Sequence, residues 1–194
     1  GTILFVLTTL LVSDISAVNA LSTNEALILA LSGIIGITIA DVLFLISLNI
    51  LGTSRSSIIN TIYSPMVIML AYFILDESLT FADIVGGLMI LLSILYLSFN
   101  QEKSNISNLN KGLIIGILAY SLMALGIIMV KPILNRFSNS IEMQLWIIIL
   151  RLIPGTLLSY ITMSFMMKKK EIILQLSNKK IWPIILLGSF LGTY

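Results

Sequence analysis

The sequence contains no cysteine and no histidine among its 194 residues. Disulfide bonds, thiolate chemistry and most zinc sites are therefore excluded, because each of them needs one of these two side chains. Charged residues are also scarce, at 10% of the chain, whereas soluble domains carry about 25%. So little charge, together with a mean hydropathy of +1.08, is typical of a protein embedded in a membrane.

The apolar residues form long blocks. Five blocks approach or exceed the ~20 residues that a helix needs to cross a bilayer core, at 26–51, 57–75, 81–99, 112–133 and 141–167. Each is predicted to be a membrane-spanning helix. Residues 1–12 and 181–194 are apolar as well, so we expect both to be parts of further spans, and the chain to be the middle of a longer multi-span protein.

The basic residues predict an orientation. If every block crosses, the connections alternate between a side X (13–25, 76–80 and 134–140) and a side Y (52–56, 100–111 and 168–180). Side X carries Lys131 and Arg136, and Lys131 is expected to reach the lipid headgroups. Side Y carries eight basic residues, which predicts that Y is cytoplasmic: Arg55, Lys103, Lys111, Lys168, Lys169, Lys170, Lys179 and Lys180.

An internal repeat accompanies this pattern. "GTILFVLT" at 1–8 matches "GTLLSYIT" at 155–162, and "SGIIG" at 32–36 resembles "GSFLG" at 188–192. An odd number of crossings separates the two copies, so the second unit would be inverted relative to the first, as in inverted-repeat transporters. The loop at 13–25 has no Lys or Arg and its counterpart at 168–180 has five, which is the asymmetry that inversion predicts.

Several stretches resemble one known family. They are "SGIIGITIADVLFLISLNILG", "LGTSRSSIINTIYSPMVIMLAYFILDESLTFADIVGGLMILLSILYLS", "KGLIIGILAYSLMALGIIMVKPIL", "LWIIILRLIPGTLL" and "LLGSFLGTY". The chain resembles the EamA-type members of the drug/metabolite transporter superfamily. This resemblance implies an all-α polytopic membrane protein of ten helices in two inverted five-helix repeats, a secondary transporter with a central cavity.

The resemblance also implies a division of this chain, which would run from the end of the second helix to the start of the eighth. Residues 1–99 would complete the first repeat, 100–111 would link the repeats, and 112–194 would begin the second repeat. The family's usual orientation has both termini in the cytoplasm and would place 168–180 outside, whereas the lysines of that loop predict the cytoplasmic side.

Two charged residues lie deep inside predicted spans. Asp41 is roughly 20 Å along its helix from side X and Arg151 is roughly 12 Å along a helix of the same direction. Charges at such depth should face protein or water. Asp41 and Arg151 are therefore candidates for binding a substrate or a coupling ion, either as a pair that opens or as two ends of a polar cavity. A protonated, hydrogen-bonded Asp41 and a purely structural ion pair are the alternatives.

The span that begins at residue 57 carries a polar stripe. Ser57, Asn60 and Ser64 share one helical face with Thr61 beside them, and Pro65 follows, where it should kink the helix. Such a face either lines a cavity or hydrogen-bonds a neighbouring helix. Asn60 and Ser64 are therefore further substrate candidates. Tyr63 and Tyr120 are the nearest aromatic residues that could stack on a substrate, although a tyrosine in a membrane helix also serves packing.

Two GxxxG pairs, Gly112/Gly116 and Gly188/Gly192, predict close helix packing. An enzyme is not predicted, because the chain lacks an HExxH motif, and Asp41 is its single deep aspartate. No cofactor, no metal and no nucleic acid is expected. The expected partners are the lipid bilayer of the cell membrane, inner or plasma, and a small-molecule substrate, and a homodimer is left open.

Two functional hypotheses follow. The first is a secondary transporter of small metabolites or drugs that works by alternating access between inverted halves. The second is a non-transporting assembly or lipid-handling protein of the membrane, in which Asp41 and Arg151 form a structural ion pair.

Overall fold

The computed structural model describes residues 2–13, 18, 20–99, 106–166, 182, 183 and 187. Within these ranges the chain is helical and has no strand. The helices are α1 (Thr2–Val12), α2 (Thr23–Gly33), a π-helical segment (Ile34–Ile39), α3 (Ala40–Leu51), α4 (Thr53–Asn60), α5 (Tyr63–Leu75), α6 (Phe81–Phe99), α7 (Ile106–Arg136) and α8 (Ile141–Met166).

The predicted spans correspond to these helices. Four stretches of the described chain are long and apolar enough to cross a membrane, namely Thr23–Leu51, Arg55–Leu75, Asn110–Arg136 and Ile141–Thr162. The remaining predicted span, 81–99, is the 19-residue helix α6. The prediction of an all-α, multi-span membrane protein is confirmed. One boundary differs, since α7 begins at Ile106 and not at residue 112.

The first long helix has clear signals at both ends. Ser22 caps it, because the Glu25 N–H donates to the Ser22 hydroxyl at 3.3 Å and the Ser22 N–H donates to the Glu25 carboxylate at 2.8 Å. Gly52 ends it with a φ of 78°, a backbone conformation that glycine adopts readily because it has no Cβ atom. Between these ends, α2, the π-helical segment and α3 run on without a break.

The second long stretch is interrupted at residues 61–62. The Thr61 and Ile62 N–H groups donate to the carbonyls three residues earlier, Ile58 and Ile59, so the helix tightens into a turn there. Pro65 explains the position, because it has no N–H to donate to the Thr61 carbonyl. The predicted kink is present, one turn before the proline.

Helix α7 forms the centre of the described chain. It packs against α2, the π-helical segment, α3, α4 and α5. One apolar cluster joins α7 to α2 and α8 through Leu29, Val130 and Ile147. A second joins it to α3 and α4 through Leu51, Ile59 and Tyr120. Helix α6, by contrast, exposes large apolar side chains such as those of Leu88, Met89 and Leu92, as a lipid-facing helix does.

Two ion pairs gather the connections of side X. The Lys131 ammonium lies 2.6 Å from the Glu77 carboxylate, and the Arg136 guanidinium lies 2.5 Å from that of Glu25. Lys131 therefore pairs with a carboxylate, and its predicted reach to the lipid headgroups stays a prediction. At the opposite end, the Ser47 hydroxyl donates to the Gly112 carbonyl at 2.9 Å. Among the described residues, connections assigned to side X thus lie together at one end, and the ends of α3 and α7 next to side Y lie together at the other.

Candidate functional site

Glycines allow three helices to cross at one point. A Cβ atom added to Gly126 of α7 would lie only 2.7 Å from the Cα of Gly36, and one added to Gly155 of α8 would lie 2.8 Å from the Gly33 carbonyl oxygen. A Cβ on Gly33 would collide with the Arg151 carbonyl. The three backbones are therefore in direct contact, and no larger residue fits at the crossing. Sequence reasoning missed this group of glycines, because its members come from three separate helices.

The π-helical segment lies at this crossing. A π turn holds one residue more than an α turn, and such turns are frequent at functional sites. Its Thr38 hydroxyl donates to the Gly155 carbonyl at 2.8 Å, which fixes the segment to α8. Asp41 follows two residues after the segment ends. The attachment to α8 thus lies within one helical turn of Asp41.

Helices α2–α3 and α8 separate beyond the crossing. Both begin at side X, as the ion pair between Glu25 and Arg136 shows, so they run in the same direction. Helix α8 packs against α2 and the π-helical segment and makes very few contacts with α3. The space between the two helices therefore widens toward side Y.

A cavity of about 270 Å³ occupies this space. Its lining comes from α3, with Asp41, Val42, Phe44 and Leu45, and from α8, with Ser159. The Asp41 side chain is half-buried, and no described residue forms an ion pair with it. The Ser159 hydroxyl is buried without a hydrogen-bond partner in the described structure. The cavity thus offers one unpaired carboxylate and one unpaired hydroxyl on a mostly apolar wall.

Arg151 lies at the crossing and not in this cavity. A Cβ atom added to Gly36 would be 3.3 Å from its Nη2 atom, so the guanidinium lies against the helix five residues before Asp41, or roughly 7.5 Å nearer side X. Tyr63 of α5 is close enough to interact with it electrostatically. Its Nε atom is buried without a hydrogen-bond partner among the described residues. Asp41 and Arg151 are consequently two separate polar positions in this conformation.

Aromatic residues adjoin the cavity. The rings of Phe44 and Tyr120 meet edge to face, with centroids 5.8 Å apart. Tyr120 is buried and hydrogen-bonds the side chain of Ser56 on α4. Phe44 therefore contacts the core through the Tyr120 ring and also lines the cavity. Neither Phe44 nor Ser159 was a candidate from the sequence, although Phe44 follows Asp41 by three residues and so shares its helical face.

The polar stripe of α4 and α5 is not part of the Asp41 cavity lining. Ser57, Asn60, Thr61 and Ser64 are all exposed. The Ser57 and Thr61 hydroxyls donate to carbonyls of their own helix, at 2.9 Å and 2.6 Å. No described helix covers this face, so its two interpretations, as a cavity lining or as a contact with another helix, both stay predictions.

The predicted packing glycines divide into two groups. Gly112 and Gly116 lie against α3 and α4, and a Cβ atom on either would come within 2.7 Å of Leu51 or Ser47, respectively. Gly188 and Gly192 lie outside the described residues, as does the lysine-rich loop at 168–180. The second copy of the predicted repeat therefore has only its first part, 155–162, in the described structure.

The fold and the site define a class. This is a multi-span α-helical membrane protein in which a half-buried arginine lies at a glycine-lined helix crossing and a half-buried carboxylate lies beside it. The EamA-like transporter family matches residues 1–99, which include α1 to α6 and just over half of the chain. The chain belongs to the EamA-like transporter family. Comparisons with curated proteins and with solved structures gave no significant match.

Proposed function

We propose that this protein is a secondary transporter of small metabolites or drugs, working by alternating access between two inverted repeats. One observation carries the proposal: the unpaired carboxylate of Asp41 lines a cavity between α3 and α8 in a member of a transporter family. By the division given above, α3 belongs to the first repeat and α8 to the second. A ligand in this cavity would touch both units, as alternating access requires.

The energetics of Asp41 support a functional role. A charged side chain near the bilayer centre costs about 2.5–3.5 kcal/mol on insertion scales, and a structural ion pair would offset part of this cost. Asp41 has no such pair among the described residues. An unpaired carboxylate beside a cavity is available to a ligand, and this favours transport over the alternative of a non-transporting protein with a structural Asp41–Arg151 pair.

The arrangement of charges supports a conformation that is closed on side X. The ion pairs Lys131–Glu77 and Arg136–Glu25 each join α7, from the second repeat, to an element of the first repeat. On side Y, α3 and α8 diverge around the Asp41 cavity. We infer that the ion pairs break and the divergence closes when the transporter opens to side X.

Transport by the full-length protein in sealed proteoliposomes tests the proposal. Labelled amino acids, amines, organic acids and drugs would be screened for uptake and exchange. We expect one solute class to move, and Asp41→Asn and Arg151→Gln to abolish its movement. Asp76→Asn is the matched control, because it removes an exposed carboxylate at side X in a left-handed conformation that asparagine also adopts. Transport that survives both deep substitutions would overturn the assignment of the site, and movement of no solute would favour the non-transporting class.

A further inference from the structure

The geometry of the Asp41 cavity points to a small organic cation as its ligand, with the Asp41 carboxylate facing the positive charge and the Phe44 ring facing the apolar surface around it. This inference rests on the proposed function in one respect, that the cavity is the place where the substrate binds. It adds the chemical class of the ligand, which neither the family nor the proposed function specifies.

The charge of the cavity lining favours a cationic ligand. Asp41 is the single charged residue of the cavity lining. The nearest deep cation of the described chain, Arg151, lies against Gly36 and does not pair with Asp41. When Asp41 is ionised, the site therefore has an uncompensated negative charge in a surrounding of low polarity, where an opposite charge is attracted strongly and an anion is repelled. A cation is favoured over a neutral or anionic ligand.

The rest of the lining separates an organic cation from a metal ion. Metal ions such as Ca²⁺ and Mg²⁺ need several oxygen ligands, and this cavity supplies one carboxylate and the Ser159 hydroxyl. The described residues hold no group of three acidic, histidine or cysteine side chains that could bind a metal. Val42, Phe44 and Leu45 instead present apolar surface. Alkyl groups around a cationic nitrogen suit such a wall.

Phe44 adds a specific attraction. It follows Asp41 by three residues, so its ring and the carboxylate lie on one face of α3, and both line the cavity. An aromatic face attracts a cation within about 6 Å, and quaternary ammonium groups are the ligands best known to use this attraction. A carboxylate beside a ring is thus a suitable pair of contacts for an alkylammonium group.

Size and hydrogen bonding narrow the ligand further. A cavity of about 270 Å³ has room for several water molecules. A compact alkylammonium ion fits this volume. The buried Ser159 hydroxyl on the opposite wall has no partner, and it can hydrogen-bond a polar substituent of the ligand. Choline has this combination of a quaternary nitrogen and a hydroxyl, so it is a suitable probe.

Isothermal titration of the purified full-length protein in detergent tests the inference without any transport. The probes are choline, its uncharged isostere 3,3-dimethylbutan-1-ol, and butyrate as an anion of similar size. We expect choline to bind about ten-fold more tightly than the isostere, because only choline pairs with the carboxylate, and butyrate not to bind. Asp41→Asn should remove this ten-fold preference. Phe44→Leu should weaken choline binding about 2- to 30-fold, and the control Asp76→Asn should leave it unchanged.

Three results would overturn the inference: equal affinities for choline and its isostere, tighter binding of butyrate, or no binding of any probe at millimolar concentration. The first comparison uses the unmodified protein, so it holds even if a variant fails to fold. Failure of the proposed function would give a different set of results. Choline binding without movement of any solute in vesicles would remove the transporter and keep the cation site, whereas Asp41-dependent transport of an anion would do the reverse.

Discussion

The charged residues at the end of the bundle and those in its middle behave in opposite ways. At side X, Lys131 and Arg136 each contact a carboxylate of another helix or its connection. In the middle, Asp41 and Arg151 come from neighbouring helices and do not pair. Pairing would be worth most in the middle, where the effective dielectric is lowest. The end charges thus join elements of the bundle, whereas the deep charges do not pair with each other, as the proposed ligand-binding role of Asp41 requires.

Arg151 lies at the glycine crossing, and disrupting this crossing should have the largest effect. Gly126→Leu places a side chain where the backbones of α7 and the π-helical segment touch. We expect loss of the folded protein, because neither backbone can move without separating both apolar clusters. Fluorescence-detected gel filtration of the full-length protein measures this. Gly86→Leu is the control, since a Cβ atom there meets nothing within 4 Å, and equal damage from both variants would contradict the role of the crossing.

Removing the deep carboxylate tests whether Asp41 serves transport or the fold. We expect Asp41→Asn to reduce transport at least about ten-fold and to leave the melting temperature unchanged or raised, because it removes an unpaired charge from a half-buried position. Thermal unfolding and vesicle transport, measured on one preparation, give both quantities. A lower melting temperature together with unchanged transport would indicate that Asp41 serves the fold.

The attachment of the π-helical segment to α8 should have a moderate effect. Thr38→Val keeps the shape of the side chain and removes its hydrogen bond to the Gly155 carbonyl. We expect a destabilisation of about 0.5–1.5 kcal/mol and altered ligand affinity, since Asp41 follows this segment closely. Thr156→Val is the matched control, because the Thr156 hydroxyl donates within its own helix. Equal effects of the two variants would argue against a special role for the attachment.

The end pairs should matter least to stability. A double-mutant cycle on Lys131→Gln and Glu77→Gln should give a coupling of about 0.2–1 kcal/mol, because both side chains are well exposed, at 39% and 40%. The coupling should fall as salt is raised. Denaturation in detergent at low and high salt measures it. A coupling of several kcal/mol that does not change with salt would show that the charges at side X are as shielded from solvent as those in the middle of the bundle. The two regions would then not differ in this respect.

Much of the fold was predictable from the sequence. The five apolar blocks became helices with similar boundaries, because a backbone in hydrocarbon must satisfy its own hydrogen bonds and only a helix does so within one segment. The Pro65 kink was predictable for an equally local reason. The start of α7 was not, because the polar residues before Lys111 form a helical extension that hydropathy does not detect.

The candidate site was predictable only in part. Asp41 and Arg151 stand out in the sequence because a charge in an apolar run is rare and costly. Ser159 does not stand out, because serine is common in membrane helices. Only the structure shows that Ser159 lines the Asp41 cavity from α8. Phe44 is likewise one apolar residue among many until its ring is placed beside that cavity.

The class of protein, the helices and the residues that carry deep charge thus follow from local hydropathy and backbone chemistry, so they can be deduced from the sequence. That Asp41 and Arg151 do not pair depends on the tertiary structure. Whether two deep charges in neighbouring helices pair depends on how the helices lie against each other, which is not a local property of the chain. Here the glycine contacts place the Arg151 guanidinium against Gly36, roughly 7.5 Å nearer side X than Asp41. No local pattern in the chain encodes these contacts.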